Sequence, residues 1–186
     1  MTGAPVAIAL LHYPVYDRNR RTVVSAITNL DIHDIARAAK TFELTRYYVV
    51  TPATEQQRLA QQIIGHWQDG YGATYNPKRK AALDLVAVKS TLDDVIRDIT
   101  AEQGAPPLLV ATGAAAAATV TYSGLREQLR KSKQPFLLLF GTGWGLTEEV
   151  MERADVVLTP VKGPGEYNHL SVRSAVAIIL DRLMGQ

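Results

Sequence analysis

Short runs of uninterrupted hydrophobic residues alternate along this chain with longer segments in which hydrophobic positions recur every three or four residues. Runs that are apolar throughout are typical of strands buried on both faces, as in a parallel sheet covered by helices. The pattern predicts six such strands: VAIALL (6–11), YYVV (47–50), LDLVAV (83–88), PLLVA (107–111), FLLLF (136–140) and VVLTPV (156–161).

The segments between these runs have the period of amphipathic helices. In DIHDIARAAKTF (31–42), the side chains of Ile32, Ile35, Ala39 and Phe42 fall on one helical face. The same period is found in ATEQQRLAQQIIGHW, TLDDVIRDIT, SGLREQLRKSK and the C-terminal SVRSAVAIILDRLM. Strands interleaved with helices predict an α/β fold: a single domain over residues 1–186, with a mostly parallel six-stranded sheet and helices on both faces.

The composition is that of an ordinary globular domain, with 47% hydrophobic and 20% charged residues and a formal net charge of +2. The absence of cysteine excludes disulfide frameworks, thiolate nucleophiles and zinc ribbons. The four histidines are widely separated, so no metal site is predicted. No stretch is long and apolar enough to span a membrane and no signal peptide is predicted, so we expect a cytoplasmic protein.

A glycine-rich stretch, FGTGWGLTEEV (140–150), leaves the fifth predicted strand. It is not a dinucleotide fingerprint, because the spacing is G-x-G-x-G and the stretch does not follow the first strand. It is not a P-loop either, because no Gly-Lys-Ser/Thr follows. Two interpretations remain: a tight strand-to-helix turn capped by Thr147, or a loop whose backbone approaches a ligand closely.

A second glycine-bearing stretch, TPVKGPGEYNHLSV (159–172), follows the next strand, and Asn168 or Ser171 can cap the final helix. Loops after neighbouring strands meet at the carboxyl edge of a sheet, where open α/β folds bind ligands. LLVATGA (108–114) is a candidate third wall, whereas the adjoining GAAAAAT (113–119) is compatible with a helix or a loop. Such a pocket suits a neutral or zwitterionic adenine-containing ligand.

Three ordered stretches carry a family resemblance: NLDIHDIARAAKTFEL (29–44), LLLFGTGWGL (137–146) and LTPVKGPGEYNHLSVRSAVAIIL (158–180). They resemble the motifs of the SPOUT superfamily of knotted, S-adenosylmethionine-dependent RNA methyltransferases. The chain is most similar to a bacterial family related to the tRNA guanine-N1 methyltransferases, whose pattern includes HYPVYDRN and TNLDIHDIAR. The resemblance implies a C-terminal deep trefoil knot, a homodimer, and direct SN2 methyl transfer to tRNA or rRNA that leaves S-adenosylhomocysteine.

The resemblance also implies which residues hold the methyl donor. They are Thr112, Phe140, Gly141, Thr142, Gly145, Leu146, Pro160, Val161, Gly163, Gly165, Asn168, Leu170 and Ser171. Two motifs depart from the ribose 2′-O-methyltransferases of the superfamily. Gly141-Thr142-Gly143 replaces their Gly-x-Glu, and Leu170-Ser171-Val172 replaces their Leu-Asn-Val. The donor pocket is therefore expected to be kept, while the methylated atom stays open.

Arg37, Asp31 and Glu166 are the candidate catalytic residues. Arg37 aligns with an arginine that assists the reaction in ribose-methylating relatives, and its alternative is an i,i+3 ion pair with Asp34. Asp31 is either the N-cap of the 31–42 helix, the more favoured use, or a polar group facing the substrate. Glu166 lies in a loop that can reach the methyl acceptor.

Three basic clusters are candidate RNA contacts: DRNRR (17–21), PKRK (77–80) and REQLRKSK (126–133). No aromatic platform for unpaired bases is predicted. Three alternative functions remain open: a donor-binding RNA module without catalysis, a methyltransferase acting on another acceptor, and a flavodoxin-like nucleotide-binding domain.

Overall fold

The computed structural model describes residues 3–186, and its centre is one six-stranded sheet in which every neighbouring pair of strands runs parallel. Its strands are β1 (Val6–Leu11), β4 (Arg46–Val50), β5 (Val86–Lys89), β6 (Leu108–Ala111), β7 (Phe136–Gly141) and β8 (Val156–Val157). Across the sheet they are ordered β5–β4–β1–β7–β6–β8. A short antiparallel hairpin, β2 (Val15–Tyr16) and β3 (Thr22–Val23), was not predicted from the sequence.

Helices cover both faces of the sheet, as predicted. They are α1 (Asn29–Thr41), α2 (Thr54–Gln68), α3 (Tyr71–Tyr75), α4 (Pro77–Leu83), α5 (Leu92–Gln103), α6 (Tyr122–Lys131), α7 (Glu148–Glu152) and α8 (Val172–Met184). Along β1, Ile8 and Leu10 face the core under α1 and α8, while Ala9 and Leu11 face the core under α5. Burial on both sides explains why the strand sequences are apolar throughout.

Two predicted strand boundaries were wrong. β5 begins at Val86 rather than residue 83, because residues 77–83 complete α4, whose N-cap Asn76 accepts a hydrogen bond from the Arg79 amide. β8 ends at Val157 rather than residue 161, because the Thr159 amide then bonds to the Val120 carbonyl outside the sheet.

No helix within residues 3–186 is long and apolar enough to span a membrane.

The strand order reverses direction between β1 and β7. From β1 the chain proceeds to β4 and β5 on one side, whereas β7, β6 and β8 lie on the other. At such a switch point the loops leaving neighbouring strands diverge and open a crevice at the carboxyl ends. The ends of β1 and β7 meet there, where Leu11 pairs with Gly141.

Candidate functional site

A cavity of about 1010 Å³ opens at this carboxyl edge. Four segments wall it: the hairpin and the residues after it, the start of the β6–α6 loop (112–121), the β7–α7 loop (142–147) with the end of β7, and the β8–α8 loop (158–171) with the start of α8. The predicted convergence of the two glycine-bearing loops is confirmed. Ala114 to Ala117 form irregular backbone along one wall, so the alanine-rich stretch is a loop rather than a helix.

The β7–α7 loop is both a tight turn and a wall of the cavity. At Gly141 a Cβ atom would lie 2.7 Å from the Leu146 nitrogen, closer than real Cβ atoms come, so this position requires glycine. Gly145 has a φ of +101°, which side chains rarely adopt. The hairpin braces the loop from the side, because the Tyr16 amide donates to the Gly145 carbonyl (3.0 Å) and the Trp144 amide to the Tyr16 carbonyl (2.9 Å).

Thr147 occupies the N-cap position of α7, but its side chain makes no capping hydrogen bond. The hydroxyl of Tyr16 instead accepts from the Glu148 amide at 3.2 Å. The predicted Thr147 side-chain cap was therefore wrong, because a residue from the hairpin satisfies an amide that the helix leaves open.

A partly buried polar chain links the end of β1 to the same loop. The Nδ1 atom of His12 lies 3.0 Å from the Ser25 hydroxyl, and that hydroxyl hydrogen-bonds the hydroxyl of Thr142. Thr142 also donates to the Leu11 carbonyl. His12 is fully buried, and this burial lowers its pKa from 6.5 to about 4. The ring is therefore neutral near pH 7 and fixes one side of the cavity.

One pair of charged residues in the cavity wall is joined by an ion pair: Asp31 and Arg173, with Arg173 Nη1 2.8 Å from Asp31 Oδ1. The other Asp31 oxygen accepts from the Thr28 hydroxyl (2.7 Å), and Thr28 accepts in turn from the Asp31 amide. Thr28 is therefore the N-cap of α1, and the prediction that Asp31 is the cap was wrong. Asp31 lies in the first turn of the helix, and its buried carboxylate lines the cavity.

Arg37 lies on the exposed side of α1 and does not line the cavity. Its predicted ion pair with Asp34 is present at 3.9 Å. Asp34 is also 3.5 Å from Arg173, so a chain of charges runs from Arg37 through Asp34 and Arg173 to Asp31.

The β8–α8 loop contributes only part of its length to the cavity. Asn168 donates to the Ala114 carbonyl at 2.9 Å, and Ser171 caps α8 by accepting from the Ser174 amide. Gly163, Gly165 and Glu166 are exposed and lie outside the lining. All the other residues predicted to hold the methyl donor line the cavity, and their binding role stays a prediction.

Sequence reasoning missed several cavity residues, among them Thr28, Ser25 and Arg173. Their side chains serve helix capping, bracing and ion pairing, and nothing in their spacing predicts which cavity they meet. Arg20 is different, since it belongs to the basic cluster DRNRR. Its guanidinium lies 4.1 Å from the centre of the Tyr16 ring, and both side chains line the cavity.

Comparisons with known proteins found a matching family, similar sequences and similar folds. The family described as SAM-dependent RNA methyltransferase matches residues 5–185. An uncharacterized protein of Aquifex aeolicus is 44% identical over 187 residues, which cover 100% of this chain and 91% of that protein. A tRNA (guanine-N(1)-)-methyltransferase of Oleidesulfovibrio alaskensis is 45% identical over 98% of this chain, which spans only 43% of that relative's length.

Among solved structures, the SpoU methyltransferase AviRb of Streptomyces viridochromogenes, in complex with AdoMet, superposes with a TM-score of 0.60. The match covers 99% of this chain and 58% of that one, at 18% identity. At this identity the likeness concerns the fold alone.

Proposed function

This chain belongs to the family of S-adenosylmethionine-dependent RNA methyltransferases, as its SPOUT motifs predicted, and from that premise we propose that the sheet-edge cavity is its active site. The observation that carries the proposal is the convergence of three strand-end loops with the Asp31–Arg173 pair in one cavity. The relative from Oleidesulfovibrio supports N1 of a tRNA guanine as the acceptor.

The residues present fit S-adenosylmethionine. Much of the wall is backbone and small side chains, including Gly113, Ala114 and Gly141, so a flat adenine and a ribose can approach the main chain. At Gly141 the tight approach of Leu146 keeps the β7–α7 loop close to the sheet edge. Bound there, the donor would supply a sulfonium-linked methyl group, which a nucleophilic RNA atom attacks directly, leaving S-adenosylhomocysteine.

Asp31 is placed to manage the proton of the acceptor. N1 of guanine carries a hydrogen that must leave as the new carbon–nitrogen bond forms, and a buried carboxylate is an acceptor for it. Thr28 and Arg173 hold that carboxylate from two sides, so its orientation is fixed before substrate arrives. Arg173 also balances its charge. In this proposal Asp31 is the catalytic base and Arg173 is a positioning residue.

Arg37 and Glu166 lie outside the cavity, and we propose that they act at its entrance. Arg37 faces solvent one ion pair away from Arg173, where it can hold an RNA phosphate. Glu166 lies in the exposed part of the β8–α8 loop. Trp144, exposed on the cavity rim, offers an aromatic face for the acceptor base.

We further propose that the protein is a cytoplasmic homodimer in which the partner completes the entrance. Support comes from three exposed apolar side chains near the cavity: Val24 beside Ser25, Leu30 in the first turn of α1, and Leu170 in the lining. Exposed apolar clusters are typical of interfaces.

The C-terminal segment is proposed to form the deep trefoil knot of the superfamily. β8 lies at the edge of the sheet beside β6, yet α8 packs against α1 on one face of the sheet. Between them, the amides of Leu158 and Thr159 donate to the carbonyls of Ala111 and Val120. The segment is thus held against both ends of the β6–α6 loop before it crosses, which supports threading.

Titration calorimetry with S-adenosylmethionine and S-adenosylhomocysteine tests the donor site, and tritiated methyl transfer to bulk tRNA and rRNA tests the reaction. Nucleoside mass spectrometry of the product is expected to show 1-methylguanosine. Ribose methylation would rule out N1 of guanine as the acceptor. Binding of a flavin or nucleotide in place of both donor compounds would overturn the assignment of the cavity. Donor binding without any transfer would indicate a non-catalytic RNA module.

A further inference from the structure

The end of α2, α3 and the start of α4 form an exposed surface, the aromatic face, which includes Trp67, Tyr71, Tyr75, Lys78 and Arg79. Tyr71 and Tyr75 are 76% and 72% exposed, and they lie one helical turn apart. Their ring centres are 6.0 Å apart with an interplanar angle of 24°. Two large aromatic rings are thus presented to solvent in nearly parallel planes, an arrangement that offers stacking surfaces to a ligand.

The aromatic face rests on a fixed base. The Arg79 guanidinium lies 4.5 Å from the centre of the Trp67 ring, and His33 and His66 contact the same ring edge-on. At Gly72 a Cβ atom would lie 2.6 Å from a Trp67 ring carbon, so glycine lets α3 sit directly on the indole. The tyrosines are therefore carried by a short helix that is packed against a buried contact, rather than by a loose loop.

The charge of this surface is positive. Residues 66–80 contain Lys78, Arg79 and Lys80 but only one carboxylate, Asp69. Lys80 is engaged within the protein, since its Nζ donates to the Gln68 carbonyl at 2.8 Å. Lys78 is exposed, and Arg79 covers Trp67 at the edge of the same surface. Cations beside exposed aromatic rings match a ligand that alternates phosphates with flat bases.

The aromatic face adjoins the proposed active site across α1. His33 contacts Trp67 on one side of the helix at a ring distance of 5.4 Å. Arg37 follows His33 by one turn, and its partner Asp34 pairs with Arg173 at the cavity. α1 therefore contributes His33 to the aromatic face and Asp34 and Arg37 to the chain of charges that leads to the cavity.

We propose that the aromatic face binds an unpaired segment of the substrate RNA, with bases stacked on Tyr71 and Tyr75 and phosphates held by Lys78 and Arg79. The strand continues across α1 past Arg37, and the acceptor nucleotide enters the cavity. This inference rests on the proposed function for its substrate. Unpaired RNA is the expected ligand because duplex RNA keeps its base faces stacked and offers no ring to the tyrosines.

The test is fluorescence anisotropy of the full chain with a fluorescein-labelled, unpaired 12-nucleotide RNA and with the same strand in a duplex. The double variant Tyr71→Leu/Tyr75→Leu keeps apolar bulk without aromatic faces and is expected to bind the unpaired strand at least roughly 10-fold more weakly. Tyr71→Phe/Tyr75→Phe keeps the rings and is expected to bind within about twofold of the wild type. Lys78→Ala is expected to lower the salt slope by about 0.7, whereas the control Arg97→Ala, exposed on α5 at the other face of the sheet, leaves it unchanged.

The proposal is overturned if the leucine variant binds the unpaired strand like the wild type, if the phenylalanine variant binds as weakly as the leucine variant, or if duplex and unpaired RNA bind equally. A change in sedimentation of the leucine variant without loss of RNA affinity would assign the face to contacts between copies instead. Calorimetry with S-adenosylmethionine separates the two proposals. A wild type that lacks donor binding while the leucine variant loses RNA affinity would refute the proposed function and leave the RNA surface standing.

Discussion

The β7–α7 loop is held at both ends and from the side, whereas the β8–α8 loop is held near its start and near its end and leaves an exposed segment, residues 162–167, between them. In the first, Gly141 packs against Leu146, and the hydroxyl of Thr142 hydrogen-bonds the hydroxyl of Ser25. The backbone amide and carbonyl of Tyr16 both form hydrogen bonds with this loop. In the second, Gly163 and Gly165 are exposed, and apart from each glycine and its two chain neighbours no heavy atom of residues 3–186 lies within 4 Å of where their Cβ atoms would be. The difference indicates a pre-formed wall on one side of the cavity and an adaptable one on the other.

The β8–α8 loop leads into α8, where Arg173 pairs with Asp31, and this ion pair gives the largest predicted effect. Asp31→Ala removes both the proposed base and the main partner of a half-buried arginine. We expect methyl transfer to fall roughly 10³-fold and the free energy of unfolding to fall by about 3 kcal/mol. The measurements are single-turnover methyl transfer and urea unfolding.

Asp34→Ala is the matched control for Asp31→Ala, since it removes an exposed partner of the same arginine and is expected to cost at most about 1 kcal/mol. Equal effects of the two substitutions on methyl transfer would contradict the assignment of the base to Asp31.

The His12–Ser25–Thr142 chain, which braces the β7–α7 loop, predicts a dependence of stability on pH. The pKa of His12 is about 4 in the folded protein and 6.5 ordinarily, so the unfolded chain takes up the proton first as the pH falls. The contribution is fully present above pH 6.5 and is lost as the pH falls toward 4, by about 3 kcal/mol in total.

Urea unfolding of the wild type and of His12→Asn between pH 7 and 5 measures this contribution, and the variant is expected to have the shallower dependence. His169→Asn, in the exposed part of the β8–α8 loop, is the control and is expected to follow the wild type. If the free energy of unfolding of the wild type and of His12→Asn depends on pH in the same way, His12 does not contribute to the pH dependence of stability.

The contrast between the loops can be tested most directly on their glycines. In Gly141→Ala the added methyl meets the Leu146 backbone, so the β7–α7 loop must shift; we expect about 2 kcal/mol of destabilisation and weaker donor binding. Gly163→Ala has open space and is expected to change stability by less than about 0.5 kcal/mol. Thermal unfolding and calorimetry with S-adenosylhomocysteine measure both, and a Gly163→Ala variant as impaired as Gly141→Ala would abolish the distinction.

The smallest predicted effect on stability concerns the hydrogen bond between the hydroxyl of Tyr16, in the hairpin, and the Glu148 amide. Tyr16→Phe leaves the Glu148 amide without its hydroxyl acceptor and is expected to cost about 1 kcal/mol. Tyr167→Phe, in the exposed part of the β8–α8 loop, is expected to be neutral. Chemical denaturation of the two variants in parallel provides the comparison, and a neutral Tyr16→Phe would show that water replaces the hydroxyl.

Local sequence was sufficient to predict those features that leave a periodic pattern or a motif in the chain. The six strands and five long helices follow from hydrophobic spacing, because burial on one or both faces leaves a repeating trace in the chain. The short helices α3 and α4 were missed, because five and seven residues hold too few turns to establish a period. The resemblance of three ordered motifs predicted the family, which is confirmed.

Tertiary structure alone decided which polar groups meet. Asp31 and Arg173 are separated by 142 positions, and Ser25 and Thr142 by 117, so no local spacing predicts either contact. The two glycine-bearing loops have the same composition cues, yet only the neighbouring atoms distinguish Gly141 from Gly163. Likewise, the aromatic face arises because Gly72 lets α3 pack on Trp67. The sequence by itself determined the sheet, its helices and the family; the cavity's charges, braces and stacking surfaces depend on residues that only folding brings together.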